Sequence, residues 1–220
     1  MLFECKNASL IYDQDKPVHT YAVRDINISI EQNKFIGILG PSGSGKSSLL
    51  YLLAGLKEAA TGSVIYNGRE YKNLDEDEKS RIRKKDFGFV FQRHFLIEYM
   101  SVLHNVLSVT NNISQASIDK AVYLLEGLGL KGLADKKPSQ LSGGQSQRVA
   151  LARALINDPK VVFGDELTAS LDRGSTGEAM KFLKEYCRNS TLIIVTHDPT
   201  ILEGADTILN IWDGKIKGGV

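Results

Sequence analysis

The chain has 220 residues, of which 42% are apolar and 24% charged, with 20 glycines and 5 prolines. These proportions are typical of globular proteins and exclude collagen-like, fibrous and intrinsically disordered classes. Lysine plus arginine (27) nearly balances aspartate plus glutamate (26), and the resulting net charge of +1 provides no overall field that would attract nucleic acid or anionic lipid.

The two cysteines, Cys5 and Cys187, lie far apart and lack CxxC spacing. This pattern argues against a disulfide framework or a cysteine-based metal site, and it indicates a reducing compartment. The N-terminus carries Glu4 and no basic lead, so it does not resemble a signal peptide. No apolar run approaches the ~18 residues of a membrane span, and we expect a protein that is soluble by itself.

The first 40 residues predict strands. Ile26, Ile28 and Ile30 alternate with polar residues at the period of a half-buried strand. Residues 35–39 (FIGIL) form the short apolar run that is typical of a strand buried in a parallel sheet. A helix is expected to begin near Ser47.

The middle of the chain predicts a hairpin, a capped helix and a helical block. Residues 64–69 form a strand that enters an Asn-Gly turn. Asp75 and Glu78 are spaced to cap a charged helix, and residues 87–91 (FGFVF) predict another strand. From about 101 to 156 the pattern is helical.

The last third returns to alternating strands and helices. Residues 161–164 and 191–195 predict buried strands, and Ser175 with Glu178 is expected to cap the helix between them. A hairpin is expected over 208–217. These elements predict an α/β body with a mostly parallel sheet and helices on both of its faces.

Residues 40–47 (GPSGSGKS) match the phosphate-binding pattern G-x4-G-K-[ST] between a predicted strand and a predicted helix. Glycines let the backbone wrap a polyphosphate, and the helix N-terminus adds partial positive charge. Lys46 is expected to neutralise the β- and γ-phosphates, and the Ser47 hydroxyl to ligate Mg²⁺. The alternative is a glycine-rich turn that binds nothing, which the flanking elements disfavour. The predicted nucleotide contacts are Gly40, Pro41, Ser42, Gly43, Ser44, Gly45, Lys46, Ser47 and Ser48.

A second predicted strand, 161–164, ends in Asp165 and Glu166. A P-loop enzyme needs a carboxylate at the tip of a neighbouring strand to hold the metal's water shell, and Asp165 fits that role. Glu166 is expected to orient or deprotonate the attacking water. The alternative is a surface acidic pair that caps the next segment. After a P-loop, the catalytic interpretation is favoured.

Residues 141–145 (LSGGQ) open a predicted helix that precedes this strand in the chain. With this motif the chain resembles the nucleotide-binding subunits of ATP-binding cassette (ABC) transporters, whose signature is LSGGQ. The physical interpretation agrees, because Ser142, Gly143 and Gly144 form a second helix start that can bind an anion. The resemblance implies that this helix start, with Gln145, serves ATP bound on another subunit. A serine-capped helix with loop glycines is the alternative for these residues alone.

The resemblance covers essentially the whole chain and assigns further residues. Gln92 resembles the glutamine that touches Mg²⁺ and the lytic water, and His197 resembles the histidine that contacts the γ-phosphate. Tyr12 resembles the aromatic residue that stacks on adenine, with Tyr21 as the competing candidate. Asp172 resembles the aspartate at the dimer seam.

The chain departs from the family pattern at three sites. Leu167 stands where proline usually follows the catalytic glutamate, so the fixed φ of proline is lost. Ser146 stands where glutamine or glutamate is frequent, and residues 169–170 (AS) are unusual before the seam aspartate. None of these changes removes a catalytic group, so we expect an active Mg²⁺-dependent ATPase.

The resemblance implies an α/β P-loop NTPase fold with a mostly parallel sheet, an antiparallel β subdomain and an inserted α-helical subdomain. We expect one domain over 1–220, with a core of 1–94 and 158–220 and a helical subdomain of 95–157. The layout is similar to the lipoprotein-release and macrolide-export branch.

The implied mechanism needs two copies, as a homodimer or as a heterodimer with a second ATP-binding subunit, and two ATP molecules at their interface. The implied partners are membrane permease subunits at the cytoplasmic side of the cell membrane, and no nucleic acid is expected. The residues after Gln92 (94–97) would pass the motion to the permease. The alternatives are a non-transport ABC ATPase, such as an iron–sulfur assembly or cell-wall regulator, a DNA-repair ATPase, and a small-molecule kinase. The short interval between Lys46 and Ser142 disfavours the repair enzyme, and LSGGQ disfavours the kinase.

Overall fold

The structure, a computed structural model, describes residues 1–12, 20–167 and 173–217. Its contacts divide the chain into two compact units. The first comprises Met1–Lys84 with Ser190–Val220, and the second comprises Lys85–Asn189. The division into core and helical subdomains expected from the sequence has different bounds and stays a prediction.

The regular elements of the described residues are numbered in chain order. The strands are β1 (Phe3–Tyr12), β2 (Thr20–Ile30), β3 (Phe35–Leu39), β4 (Thr61–Tyr66), β5 (Arg69–Glu70), β6 (Phe87–Val90), β7 (Val161–Asp165), β8 (Thr191–Thr196), β9 (Thr207–Trp212) and β10 (Lys215–Ile216). The α-helices are α1 (Lys46–Leu53), α2 (Glu76–Asp86), α3 (Val102–Leu107), α4 (Gln115–Gly127), α5 (Gly143–Leu155) and α6 (Arg173–Tyr186).

The first unit contains an antiparallel sheet with the strand order β2-β1-β4-β5. Its apolar face is buried, and Phe3 packs on Tyr66 with ring centroids 5.0 Å apart. Asn67 and Gly68 join β4 to β5 with φ values of 47° and 77°, the two left-handed residues that a tight hairpin turn requires. The predicted Asn-Gly hairpin is therefore confirmed.

The first unit also contains the strand order β10-β9-β3-β8. β3 runs parallel to β8 on one side and to β9 on the other, while β10 pairs antiparallel with β9. The predicted terminal hairpin is thus confirmed. Helix α1 follows β3 and buries Leu49, Leu50, Leu52 and Leu53 completely, which fixes the direction in which the chain leaves the P-loop.

In the second unit β6 runs parallel to β7, and the apolar faces of α3, α4 and α5 are buried. Val149, Leu151 and Leu155 of α5 are at most 3% exposed. This unit holds most of the helical stretch that the sequence predicts over 101–156.

Two helix caps predicted from the sequence can be compared with the structure. Asp75 accepts a hydrogen bond from the backbone N–H of Glu78 (2.7 Å), and the Glu78 carboxylate accepts one from the N–H of Asp75 (3.2 Å), as the sequence predicts. The expected cap at Ser175 is wrong. α6 begins at Arg173, so Ser175 lies inside the helix rather than before it.

The observed elements confirm the predicted fold class, with a mostly parallel set of core strands, a separate antiparallel sheet and a helical segment. In the parts of the chain that the structure describes, no helix is both long enough and apolar enough to cross a bilayer.

Candidate functional site

The loop between β3 and α1 has the backbone of a phosphate cradle. Gly43 and Gly45 have φ values of 76° and 102°, which non-glycine residues adopt only with strain. A Cβ on Gly45 would lie 2.1 Å from the carbonyl oxygen of Ala22, and one on Gly40 would lie 2.2 Å from that of Ile211. Packing therefore requires glycine at positions 40 and 45, and the left-handed backbone favours it at positions 43 and 45.

Helix α1 begins directly behind this loop with its N-terminus uncapped by a side chain. No acidic residue lies in its first turn, so the N–H groups and the helix dipole provide uncompensated positive charge for an anion. Lys46 is only 7% exposed, and its ammonium donates to the carbonyl of Pro41 at 2.9 Å. The ammonium is thus held across the loop, where predicted phosphate contacts surround it.

His197 lies beside this loop because of strand register. Leu39, the last residue of β3, pairs with Thr196, the last residue of β8. Since both strands are parallel, their carboxyl ends meet at one edge of the sheet, and Gly40 and His197 are the next residue of each chain segment. His197 is exposed at this edge. The structure therefore brings the predicted γ-phosphate contact and the predicted cradle together.

Tyr12 and Tyr21 lie on neighbouring strands at the same end of the antiparallel sheet, where Ile11 pairs with Tyr21 and Tyr12 with Thr20. Both rings are exposed, Tyr12 by 39% and Tyr21 by 45%. The contact of Gly45 with Ala22 places this end of β2 against the P-loop. Paired residues share a face of a sheet and successive residues alternate between its faces. This register therefore puts Tyr12 and Tyr21 on opposite faces, and experiment distinguishes the two candidates for adenine stacking.

We expect Tyr12→Ala to raise KM for ATP by about one to two orders of magnitude, because stacking on a base contributes about 1–3 kcal/mol. kcat should change little, since the base is remote from the reacting phosphate. Tyr21→Ala is the matched control. Steady-state phosphate release measured for both variants checks the assignment, and a KM increase confined to Tyr21→Ala would transfer the stacking role to that residue.

In the second unit, Asp165 ends β7, and Gln92 follows β6, the strand that pairs with β7. Val90 of β6 pairs with Gly164 of β7, so the residues that follow each strand leave at the same edge. Asp165 is 6% exposed, whereas Gln92 is exposed and Glu166 half-buried. The register thus brings together the three residues of this unit that the sequence analysis assigned to metal and water.

The donor chemistry fits Mg²⁺. Ser47, Gln92 and Asp165 offer hydroxyl, amide and carboxylate oxygens, the hard ligands that this ion accepts beside phosphate oxygens and waters. Among the described residues, no three or more His, Cys, Asp or Glu side chains form a metal-binding group.

The LSGGQ segment forms the N-terminus of α5. Ser142 is the N-cap, its hydroxyl accepts from the N–H of Gln145 (3.2 Å), and the Gln145 side chain accepts from the N–H of Ser142 (2.8 Å). This reciprocal pair confirms that Ser142 caps the helix. It does not involve Gly143 or Gly144, whose N–H groups are left without intrahelical acceptors. Ser142 and Gly143 are exposed.

One residue that sequence reasoning missed anchors the segment after Gln92. Arg153 of α5 donates to the carbonyls of His94 and Phe95, at 2.7 Å each. Burial lowers the pKa of this guanidinium, which nevertheless stays charged at pH 7. An arginine between Ala152 and Ala154, in the apolar half of this helix, was the available signal. Through Arg153, the helix that LSGGQ opens is bonded to the loop that carries Gln92.

His94 and the aromatic residues of this loop add further contacts. Phe163, Phe89 and Phe91 stack in series across β7 and β6, and Phe95 meets Phe91 edge-on at 5.7 Å. Burial lowers the pKa of His94, against a smaller opposing effect of Gln147, so its imidazole is neutral at pH 7. Arg153 and the stacked phenylalanines therefore both hold this loop within the second unit.

The predicted site residues thus form two sets. The cradle, His197 and the tyrosines belong to the first unit, and Gln92, Asp165, Glu166 and the LSGGQ segment belong to the second. Asp172, the predicted seam residue, and the unusual residues 169–170 lie outside the described residues.

Comparison with known proteins gives consistent matches. A family model described as ABC transporter matches residues 23–169. The lipoprotein-releasing system ATP-binding protein LolD of Wigglesworthia glossinidia brevipalpis is 39% identical over 98% of this chain and 96% of its own length. The macrolide export ATP-binding/permease protein MacB of Hahella chejuensis is 42% identical over 88% of this chain, but over only 30% of that longer protein.

Solved structures agree with these relatives. The dimeric structure of MJ0796, a bacterial ABC transporter cassette, is 33% identical, covers 99% of this chain and 97% of its own, and superposes with a TM-score of 0.92. A dimeric post-hydrolysis state of MJ0796 bound to ADP and Pi superposes with a TM-score of 0.91 at the same identity and coverage.

Proposed function

Since this chain belongs to the ABC transporter family and is an ATPase of that type, we propose that it powers a transporter as a head-to-tail dimer driven by ATP. Two ATP molecules lie at the interface of two copies. Each is held by the cradle of one copy and by the exposed start of α5 of the other. Loss of the γ-phosphate on hydrolysis removes the bridge and reopens the dimer, because the ligand then no longer favours the closed state.

The observation that supports this proposal most directly is the exposed start of α5, which the LSGGQ residues form. The start of α1 already accounts for one phosphate cluster. The start of α5 exposes Gly143 and carries no acidic residue in its first turn, so it suits an anion that this copy's own cradle does not need. The dimeric relatives of known structure support the same arrangement.

The proposed roles follow from the chemistry of each side chain. Lys46 neutralises phosphate charge. Ser47, Gln92 and Asp165 would hold Mg²⁺, which would withdraw charge from the phosphate oxygens. Glu166 accepts the proton of the attacking water, which makes the water a stronger nucleophile.

His197 donates a hydrogen bond to the γ-phosphate, and Tyr12 stacks on adenine. Asp172 contributes at the dimer seam.

The proposed partners are membrane permease subunits of an exporter of the LolD and MacB type, with this chain at the cytoplasmic face of the membrane. Phe95 and Tyr99, on the segment after Gln92, are 61% and 77% exposed. Exposed aromatic side chains four residues apart in the chain suit a protein partner, and Arg153 links their segment to α5. The transported substrate would be recognised by the permease.

The dimer requirement is tested by specific ATPase activity over a dilution series. Activity per molecule should fall steeply as the concentration drops below the dimer dissociation constant, because a solitary copy lacks half of each site. Lys46→Ala, which removes a phosphate contact, is the inactive control. Specific activity that stays constant down to concentrations where sedimentation shows only monomers would contradict the proposal.

Transport coupling is tested by reconstituting the chain with a permease of four membrane spans and a large extracytoplasmic domain, if the neighbouring reading frame encodes one. Stable complex formation and an altered ATPase rate are expected. Absence of any integral membrane partner would favour the non-transport alternative.

A further inference from the structure

The residue proposed as the catalytic base has an uncommon backbone. Glu166 has a φ of 52°, in the left-handed region that few non-glycine residues occupy and that glutamate, unlike asparagine or aspartate, rarely adopts. Such a conformation persists only where the surrounding structure enforces it. The conformation of Glu166 must therefore be held by the residues packed around it, beginning with its neighbours in the chain.

The side chain of Leu167 folds back onto the end of β7. Leu167 is 2% exposed, and its Cδ2 atom lies 2.2 Å from the point where a Cβ on Gly164 would stand. The missing side chain of Gly164 thus leaves the space that a methyl group of Leu167 fills. This contact closes the four-residue segment that contains Asp165 and Glu166.

We propose that Leu167 is a positioning residue, whose side chain, seated on Gly164, holds Glu166 in its left-handed conformation and so aims its carboxylate at the attacking water. Leucine does not restrict its own φ as proline does, so the constraint comes from packing. The inference rests on the proposed role of Glu166 as the base. It adds that two apolar positions outside the proposed nucleotide contacts control the rate of the chemical step.

The test enlarges the side chain at position 164 and shortens the side chain at position 167, separately and together. Gly164→Ala puts a methyl group where Leu167 sits, and Leu167→Ala vacates that space. Each is expected to lower kcat by about one to two orders of magnitude, as for a misplaced catalytic group. KM for ATP should stay within about twofold, because the cradle is unchanged. The double variant Gly164→Ala/Leu167→Ala should recover much of kcat, since the new methyl occupies the vacated space.

Two matched controls separate positioning from general loss of stability. Gly177, inside α6, has open space around its Cβ position, so Gly177→Ala should leave kcat unchanged. Leu183 is fully buried in the same helix, so Leu183→Ala should lower Tm while kcat stays near that of the wild type at a temperature where the variant is folded. If Leu183→Ala reduced kcat as much as Leu167→Ala does, the positioning role would be refuted.

The outcomes discriminate between hypotheses. Wild-type kcat in either single variant at position 164 or 167, or a double variant no better than the poorer single one, overturns the inference. If Gly164→Ala does not fold, Leu167→Met and Leu167→Ala decide: retained kcat with methionine and lost kcat with alanine support the inference, and equal rates overturn it. Glu166→Gln is measured alongside. A fully active Glu166→Gln refutes the role of Glu166 itself. If Glu166→Gln is inactive, the variants at positions 164 and 167 test only the contact between Leu167 and Gly164.

Discussion

Glu166→Gln is expected to lower kcat for ATP hydrolysis by a factor of about 10²–10⁴, while ATP binding is retained. Glutamine has the shape of glutamate and can still hydrogen-bond to water, but it cannot accept a proton. Because hydrolysis is then too slow to remove the γ-phosphate, the variant should accumulate as an ATP-bound dimer. Phosphate release measures the rate, and sedimentation with and without ATP measures the dimer.

The control for this variant is Glu178→Gln. Glu178 is exposed on α6 and undergoes the same chemical change away from the proposed site, so it should behave as the wild type. Monomers of Glu166→Gln across a wide range of concentrations with saturating ATP would count against the ATP-driven dimer. Wild-type hydrolysis by the same variant would count against Glu166 as the base.

The second large effect is expected for Gly143→Glu. Gly143 is the first residue of α5 and is exposed. A carboxylate there interacts favourably with the helix dipole, so folding should not suffer, but it repels a phosphate from the same N–H groups. Monomeric ATP binding should persist, whereas the ATP-driven dimer and hydrolysis should be lost, with activity falling by at least about 100-fold.

Ala116→Glu is the matched control for that charge. Ala116 is exposed in the first turn of α4, where the same substitution meets the same dipole in the same unit but not the proposed ligand. It should leave hydrolysis unchanged. Equal losses for Ala116→Glu and Gly143→Glu would show a general effect of charge.

Mixing the two inactive variants tests which copy supplies each half of a site. In a head-to-tail dimer of one Glu166→Gln copy and one Gly143→Glu copy, one of the two sites is intact. Equal amounts combined before ATP is added should recover up to about a quarter of wild-type activity, since random pairing makes half of the dimers mixed. If LSGGQ served the ATP of its own copy, every site would carry a defect and nothing would be recovered.

Features that depend on a few neighbouring residues could be read from the sequence. The strand 35–39, the Asn-Gly turn after β4 and the reciprocal cap of Asp75 with Glu78 all appear as predicted. Each is decided by local geometry, such as left-handed φ at a turn or a carboxylate within reach of a free N–H. The capping prediction at Ser175 rested on the same local reasoning and was wrong. Helix α6 begins two residues earlier, at Arg173, where the sequence shows no capping pattern.

Features that join distant parts of the chain could not be read in this way. The sequence offers Gly40 as part of a motif, but only the structure shows that its Cβ would collide with the carbonyl of Ile211. Arg153 reads as one more helical arginine until its bonds to His94 and Phe95 are seen. From the sequence, Leu167 signals only that the fixed φ of a proline is missing, whereas the structure shows the leucine buried against Gly164.

The amino-acid sequence alone therefore indicated the chemistry proposed for this protein, through a glycine loop with Lys46 and Ser47, acids at the end of a buried strand, and LSGGQ at a helix start. These groups act through their own functional atoms and their immediate neighbours, so their order in the chain is informative. Only the tertiary structure decided which backbone atoms fill the space around them. That outcome depends on strand register and side-chain packing between segments far apart in the chain, where a difference of one methyl group is felt.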